Sequence, residues 1–289
     1  MTYNDVPKIF DRGRLSKHRA RVAANFPEYD FLFREMGHRL CDRLEYINRD
    51  FHLALDLGAK NGILAEILGG RGNIETLIQM EASGQGGAGH MCLVGDEELL
   101  PFADSKFDLV ISVGSLHWVN DLAGTLAQIQ RILKPDGLFL AVFFGGQTLH
   151  ELRASFEKAE IDYRGGVSPR ISPFIDVQTG GALLQRAGFA LPVVDSEIIT
   201  VEYTHPLKLM KELRYMGESN CLIECEKNFT PCSLMMSVVD NYLRDFSNAD
   251  NRITASFELI TLTGWKPHSS QQKAASRGSG KVSLSKAVS

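Results

Sequence analysis

Long apolar runs are missing from this chain of 289 residues. The longest, Leu138 to Phe144, has the length of a buried strand and falls well short of the ~18 residues that cross a bilayer, so no transmembrane segment is expected. Positive charge is not in excess either. The formal net charge is -4, so no global field draws the protein to nucleic acid. Cysteine is sparse: Cys41, Cys92, Cys221, Cys225 and Cys232 are odd in number and scattered, which argues against a disulfide framework and for a reducing compartment. The last three fit no common zinc spacing and have no histidine between them, so free thiols and no metal are expected. Met1 to Phe10 is polar, holds a proline and does not read as a secretory signal. With no leader rich in Arg and Ser, the expected location is a bacterial cytoplasm, or the mitochondrial matrix if the chain is eukaryotic.

What is present is a globular composition, 44% hydrophobic and 23% charged, enough for a large core. Arg12 to Arg21 is basic and reads as a solvated helix face, the functional alternative being a helix lying over an anionic ligand or partner. Phe33, Met36, Leu40 and Leu44 recur at helical spacing. From about residue 52, short apolar runs alternate with amphipathic stretches. Leu53 to Leu55, Thr76 to Met80, Met91 to Val94, Phe107 to Val113 and Leu138 to Phe144 read as strands. Ile63 to Leu68 and Leu122 to Leu133 read as helices. That alternation implies right-handed crossovers and a mainly parallel sheet. Later come helices over Leu149 to Ala159 and Asp176 to Ala187, and a strand over Val193 to Tyr203. A mostly helical stretch, His205 to Asp250, breaks at Gly217 to Asn220, and Phe257 to Trp265 reads as the last strand. The glycine-rich Gly84 to Gly89 reads as mobile, and the Ser-, Lys- and Gly-rich tail from Pro267 as disordered.

Asp56-Leu57-Gly58-Ala59-Lys60-Asn61-Gly62 falls where the first strand turns into the first helix. Ligands of open α/β sheets bind at such strand ends. Glu81 ends the second strand, where an acid can accept both ribose hydroxyls. Asp96, after the third, can accept from an adenine amino group, or can cap a helix with Glu97 and Glu98 in its first turn. The dinucleotide pattern fails because the glycines fall at 58 and 62, and no Gly-Lys-Ser/Thr follows for a phosphate loop.

These segments, with Gly95 to Phe102 and Phe107 to Val110, resemble the class I S-adenosylmethionine-dependent methyltransferase core. Six further segments, Ser115 to Asp121, Leu133 to Gly137, Phe144 to Leu149, Gly165 to Phe174, Met216 to Asn220 and Gly264 to His268, resemble the mitochondrial complex I (NADH:ubiquinone oxidoreductase) assembly factors and their alphaproteobacterial relatives. The malonyl-carrier-protein methyltransferases of biotin synthesis share mainly the core. The resemblance implies an α/β, Rossmann-like fold of seven strands, mostly parallel with the last antiparallel, and a helical insert before it. It divides the chain into an N-terminal helical cap (1–50), a cofactor-binding domain (51–265) with a lid-like segment (145–175) and the insert (205–252), and a flexible tail (266–289). It implies S-adenosyl-L-methionine as cofactor, with Asp56, Gly58 and Gly62 on the methionine and ribose side, Glu81 on the ribose, and Asp96 and Glu97 near the adenine. Lys60 departs from the superfamily, which usually has glycine there, so its side chain narrows the expected pocket.

Methyl transfer requires alignment and exclusion of water, with a base only where the nucleophile loses a proton. His117 is the candidate base or orienting group, its structural alternative being support of the loop, with Trp118 filling the core. Thr148, Glu151, Ser168, Glu218, Ser219 and Asn220, with Trp118, are candidate substrate residues. Glu151 and Glu218 suit a guanidinium. The leading expectation is an S-adenosylmethionine-dependent methyltransferase acting on a protein. The alternatives are a protein arginine hydroxylase acting on a complex I subunit, as the resembled family implies, and a non-catalytic assembly chaperone.

Overall fold

The computed structural model describes residues 7–84, 91–272 and 278–279. Residues 85–89 of the glycine-rich stretch and most of the tail lie outside the described residues.

Seven strands, β1 (Leu53–Leu57), β2 (Thr76–Glu81), β3 (Met91–Val94), β4 (Phe107–Val113), β5 (Leu133–Phe144), β6 (Ala190–Tyr203) and β7 (Ile253–Trp265), form one sheet of order β3-β2-β1-β4-β5-β7-β6. β1 pairs in parallel with both β2 and β4, whereas β7 runs antiparallel to β5 and β6. The helices are α1 (Arg12–Val22), α2 (Phe31–Glu45), α3 (Ile63–Leu68), α4 (Leu122–Ile132), α5 (His150–Arg164), α6 (Val177–Arg186), α7 (Pro206–Tyr215) and α8 (Cys232–Phe246).

The near-continuous apolar strands follow from cover on both faces. Leu109, Ile111 and Val113 of β4 join Leu138, Leu140 and Val142 of β5 in a core with α2, α3, α5, α7 and α8. Their neighbours Val110, Phe139, Ala141 and Phe143 face the opposite core, closed by α4 and Leu184 of α6. Side-chain caps set helix starts: Asp11 accepts from Arg14 N at 2.9 Å, Asp121 from Gly124 N at 2.8 Å and Asp176 from Thr179 N at 2.7 Å.

Several boundaries differ from the pattern reading: β5 begins at Leu133 and not Leu138, β6 at Ala190 and not Val193, and α5 runs on to Arg164. β7 begins at Ile253, because Ile253 to Ser256 pair with Tyr203 to Thr200. The break in the insert is also longer, running from the end of α7 at Tyr215 to Cys232.

Strand order reverses between β1 and its two neighbours, which opens a crevice at their carboxyl ends. α1 lies across it. The segment before α1 is laced to the insert: Phe10 bridges Leu222, Asp11 N donates to Cys221 O at 2.8 Å and Ile223 N to Ile9 O at 2.9 Å.

Candidate active site

The turn after β1 is built on left-handed backbone. Gly58, Lys60, Asn61 and Gly62 have φ of 76°, 39°, 60° and 82°. Gly58 is required for a second reason: a Cβ there would lie 2.2 Å from Ser115 Oγ. Gly58 N and Ala59 N donate to Met80 O at 2.8 and 3.1 Å, tying the turn to the end of β2. Lys60 carries real strain for a long side chain, and its head group compensates. Lys60 Nζ lies 2.7 Å from Glu218 Oε1 and 3.8 Å from the centre of the Phe33 ring. Burial lowers its pKa to about 8 against the opposing pull of Glu218. Lys60 borders a space of about 20 Å³ together with Arg19 and Glu81.

Asp56 is buried, and neither carboxylate oxygen has a hydrogen-bond partner among the described residues. Burial, and then the charge of Glu81, push its pKa up to about 8. Glu81 accepts from Lys60 N at 3.1 Å and from Arg19 Nη1 at 3.2 Å. Glu97 is fully buried and takes Arg12 Nη2 and Ser115 Oγ. Burial opposes its charge, yet Arg12 and then Arg19 hold its pKa below the ordinary carboxylate range. Asp96 is half-exposed and pairs with Arg12 at 3.0 Å. Its carboxylate also accepts Glu98 N at 2.9 Å. Between α1 and the ends of β2 and β3 lies a cavity of about 260 Å³, bordered by Arg12, Arg19, Glu81, Gly95 and Asp96.

Arg12 and Arg19 therefore do not lie on a solvated face: Arg19 is 8% exposed. The sequence carried the signal. The two are seven residues apart, two helical turns, so they project from one face, and strand-end acids awaited cations.

On the far side of Lys60, Glu218 collects three donors. Besides Lys60, Trp118 Nε1 donates to Oε2 at 2.7 Å and His117 Nε2 lies 3.0 Å from the same oxygen. Desolvation opposes its charge, but Lys60, His117 and Arg19 hold Glu218 ionised well below the usual carboxylate range. Burial lowers the pKa of His117 against the opposing pull of Glu218. A neutral imidazole against a carboxylate carries its proton on Nε2, which leaves Nδ1 as a lone-pair acceptor. Nδ1 is buried without a partner among the described residues.

Glu218, Ser219 and Asn220 line a second cavity of about 340 Å³, walled by Trp118, Phe144 and Phe174 among others. The remaining candidates sit differently. Thr148 also lines it, but its hydroxyl is committed to the backbone of Glu258 at 3.1 and 3.2 Å. The Glu151 carboxylate is spent on Ser256 Oγ and N. Ser168 is held by Glu160, with Oγ 2.7 Å from Oε1. Asn220 Nδ2 donates to Pro169 O at 2.9 Å. The sequence named Phe33 only as a packing residue, and Ser115 and Phe174 only as ends of resembling segments; their places at the site come from tertiary contact.

A methyltransferase domain family profile matches residues 55–141. The mitochondrial arginine-hydroxylase NDUFAF5 of Homo sapiens is 42% identical over 289 residues, covering 96% of this chain and 82% of that protein. Its Danio rerio counterpart is 39% identical over 285 residues, covering 96% and 88%. A malonyl-[acyl-carrier protein] O-methyltransferase of Halorhodospira halophila is 29% identical over 271 residues, covering 89% and 88%. The crystal structure of YcgJ from Bacillus subtilis superposes with a TM-score of 0.54 at 16% identity, covering 80% of this chain and 99% of that one, a likeness of fold alone.

This fold implies an S-adenosyl cofactor, and the residues present fit one. The unpartnered Asp56 carboxylate calls for a cationic or donor group at the turn. The cavity beside Glu81 and Asp96 lies at the carboxyl ends of the strands, where ligands of open α/β sheets bind. With the class I sheet order, the profile match and relatives near 40% identity over almost the whole chain, the protein belongs to the NDUFAF5 family of methyltransferase-fold enzymes.

Proposed function

We infer that this enzyme modifies an arginine side chain of a protein substrate beside a bound S-adenosyl group. The observation that carries the reading is Glu218, a buried carboxylate at the meeting point of the turn after β1 and an aromatic-walled cavity. A guanidinium presents paired donors that match a carboxylate, and its flat faces stack on aromatic rings. Glu218, whose oxygens already take Lys60, Trp118 and His117, would fix those groups at the cavity wall, and the guanidinium would displace one of these donors to pair with it. Phe144 and Phe174 would exclude water, and His117 Nδ1 would accept a proton. Asp56, Glu81, Asp96 and Glu97 would hold the nucleoside, which when bound supplies an electrophilic methyl group.

The name carried by the relatives supports hydroxylation. Its balance is replacement of C–H by C–OH, with one atom of dioxygen retained and the other leaving as water, using two electrons and two protons from an added reductant. The cofactor cleft supports methyl transfer instead. Resemblance to complex I assembly factors directs the search for substrate to a subunit of that complex, in a mitochondrial matrix or a bacterial cytoplasm. No helix among the described residues is long and apolar enough to cross a membrane.

The test is mass spectrometry of the candidate subunit after incubation with the enzyme, S-adenosylmethionine, dioxygen and a reductant. A gain of one oxygen on arginine supports hydroxylation, and a gain of one methyl supports transfer. No change, with the subunit bound, replaces both with the chaperone reading. Glu218→Gln should abolish either gain.

A further inference from the structure

Arg19 has one side too many for its visible role. Its Nη1 serves Glu81 at 3.2 Å and lies 3.9 Å from Glu97. Its Nε and Nη2 are buried with no partner among the described residues. Those two N–H groups form the flat edge of a guanidinium, the edge that grips a two-oxygen anion. Leaving such donors unpaired in the interior costs stability, and nothing in a merely structural Arg19–Glu81 pair requires it. Arg19 also borders both spaces of the cleft, the larger under α1 and the small one beside Lys60.

The surroundings narrow the anion. Asp56, Glu81, Asp96 and Glu97 crowd the cleft and would repel a multiply charged anion such as phosphate. A single carboxylate on a ligand that also carries positive charge suits the mixture. The amino-acid end of an S-adenosyl compound has that form, with a carboxylate, an ammonium and a sulfonium. The geometry points to Arg19 as the residue that binds the ligand's carboxylate, with its Nε and Nη2 taking the two oxygens. The proposal rests on the nucleoside reading above. It adds that a residue of α1, outside the segment matched by the domain profile, selects for an intact amino-acid end.

The experiment is calorimetric titration of the full chain with two ligands that differ only in this group, S-adenosylmethionine and decarboxylated S-adenosylmethionine. The wild-type protein should prefer the carboxylate form by about 10- to 100-fold, the range of a charge-assisted pair. Arg19→Gln should bring that ratio close to one while leaving affinity for the decarboxylated ligand within about threefold, because the variant also frees Glu81. Arg19→Lys keeps the charge without the fork and should retain only part of the preference. It carries the test if the Gln variant does not fold by circular dichroism. A wild-type protein that binds both ligands equally, or an Arg19 variant that weakens both alike, overturns the proposal and leaves the nucleoside reading standing. A wild-type protein that binds neither overturns both.

Discussion

Glu218 is the residue on which most depends. Lys60 and Glu218 are each about 95% buried at the side chain, so their pair is not screened as a surface pair would be, and surface pairs contribute at most about 1 kcal/mol. Glu218→Gln keeps the volume and removes the charge, leaving Lys60 buried without an anion. Breaking such a pair costs about 3–5 kcal/mol, which urea denaturation at pH 7 should register. The loss should shrink at pH 9, because Lys60, whose pKa already lies at about 8, becomes neutral and needs no counter-charge. Asp56 makes an opposite prediction about pH. Its folded pKa of about 8 stands above the ordinary 3.8, so the folded state holds the proton more tightly than the unfolded chain. The contribution is fully present below about pH 4 and is lost as pH rises through about 8. Asp56→Asn should flatten that decline in the urea midpoint between pH 5 and pH 8. A cationic ligand that prefers ionised Asp56 should release a proton there and bind more tightly as pH rises toward 8.

Among the elements, the segment after α5 has its own fastening. Glu160 is fully buried and gathers Arg164, Arg170, Ser168 N and Ser168 Oγ. Glu160→Ala should free the stretch from Gly165 to Arg170 and speed tryptic cleavage at Arg164 and Arg170 by on the order of tenfold or more, the loss of two or more charge-assisted bonds. Unchanged cleavage would mean that packing, not the clamp, holds the stretch. Ser168 looked like a substrate contact in the sequence because glycines flank it. Its partner Glu160, eight residues earlier on a helix, gave no sign of being buried. The central strands β1, β4 and β5 were legible because two-sided burial writes itself as unbroken apolar runs. The start of β7 was not, since Thr254 and Ser256 interrupt the run and only pairing with β6 makes it a strand. Glu81 and Asp96 were legible from their place at strand ends. Their arginine partners were legible only as an alternative: the seven-residue spacing puts Arg12 and Arg19 on one face, but a basic run alone does not say what lies beneath it.

At the scale of the molecule, the expected division into cap, core and insert does not correspond to separate cores. Leu32, Phe33 and Met36 of α2 share one cluster with Leu109 of β4 and with Leu209, Leu234, Val238 and Tyr242 of the insert. Unfolding should therefore be a single transition. The two tryptophans test this from distant places, Trp118 against Phe10 and Glu218, and Trp265 at the end of β7. Trp118→Phe and Trp265→Phe each leave one reporter. Each reporter's fluorescence midpoint in urea should coincide with the circular dichroism midpoint of its own variant, and separated midpoints would reveal independent units.

The lacing of residues 9–11 to residues 221–223 has a consequence for traffic through the enzyme. The helix that carries Arg19 and the loop that carries Glu218 are tied together there, so a displacement of one is expected to be felt by the other. Two guests that each press on that tie change each other's affinity by the same factor, whichever arrives first.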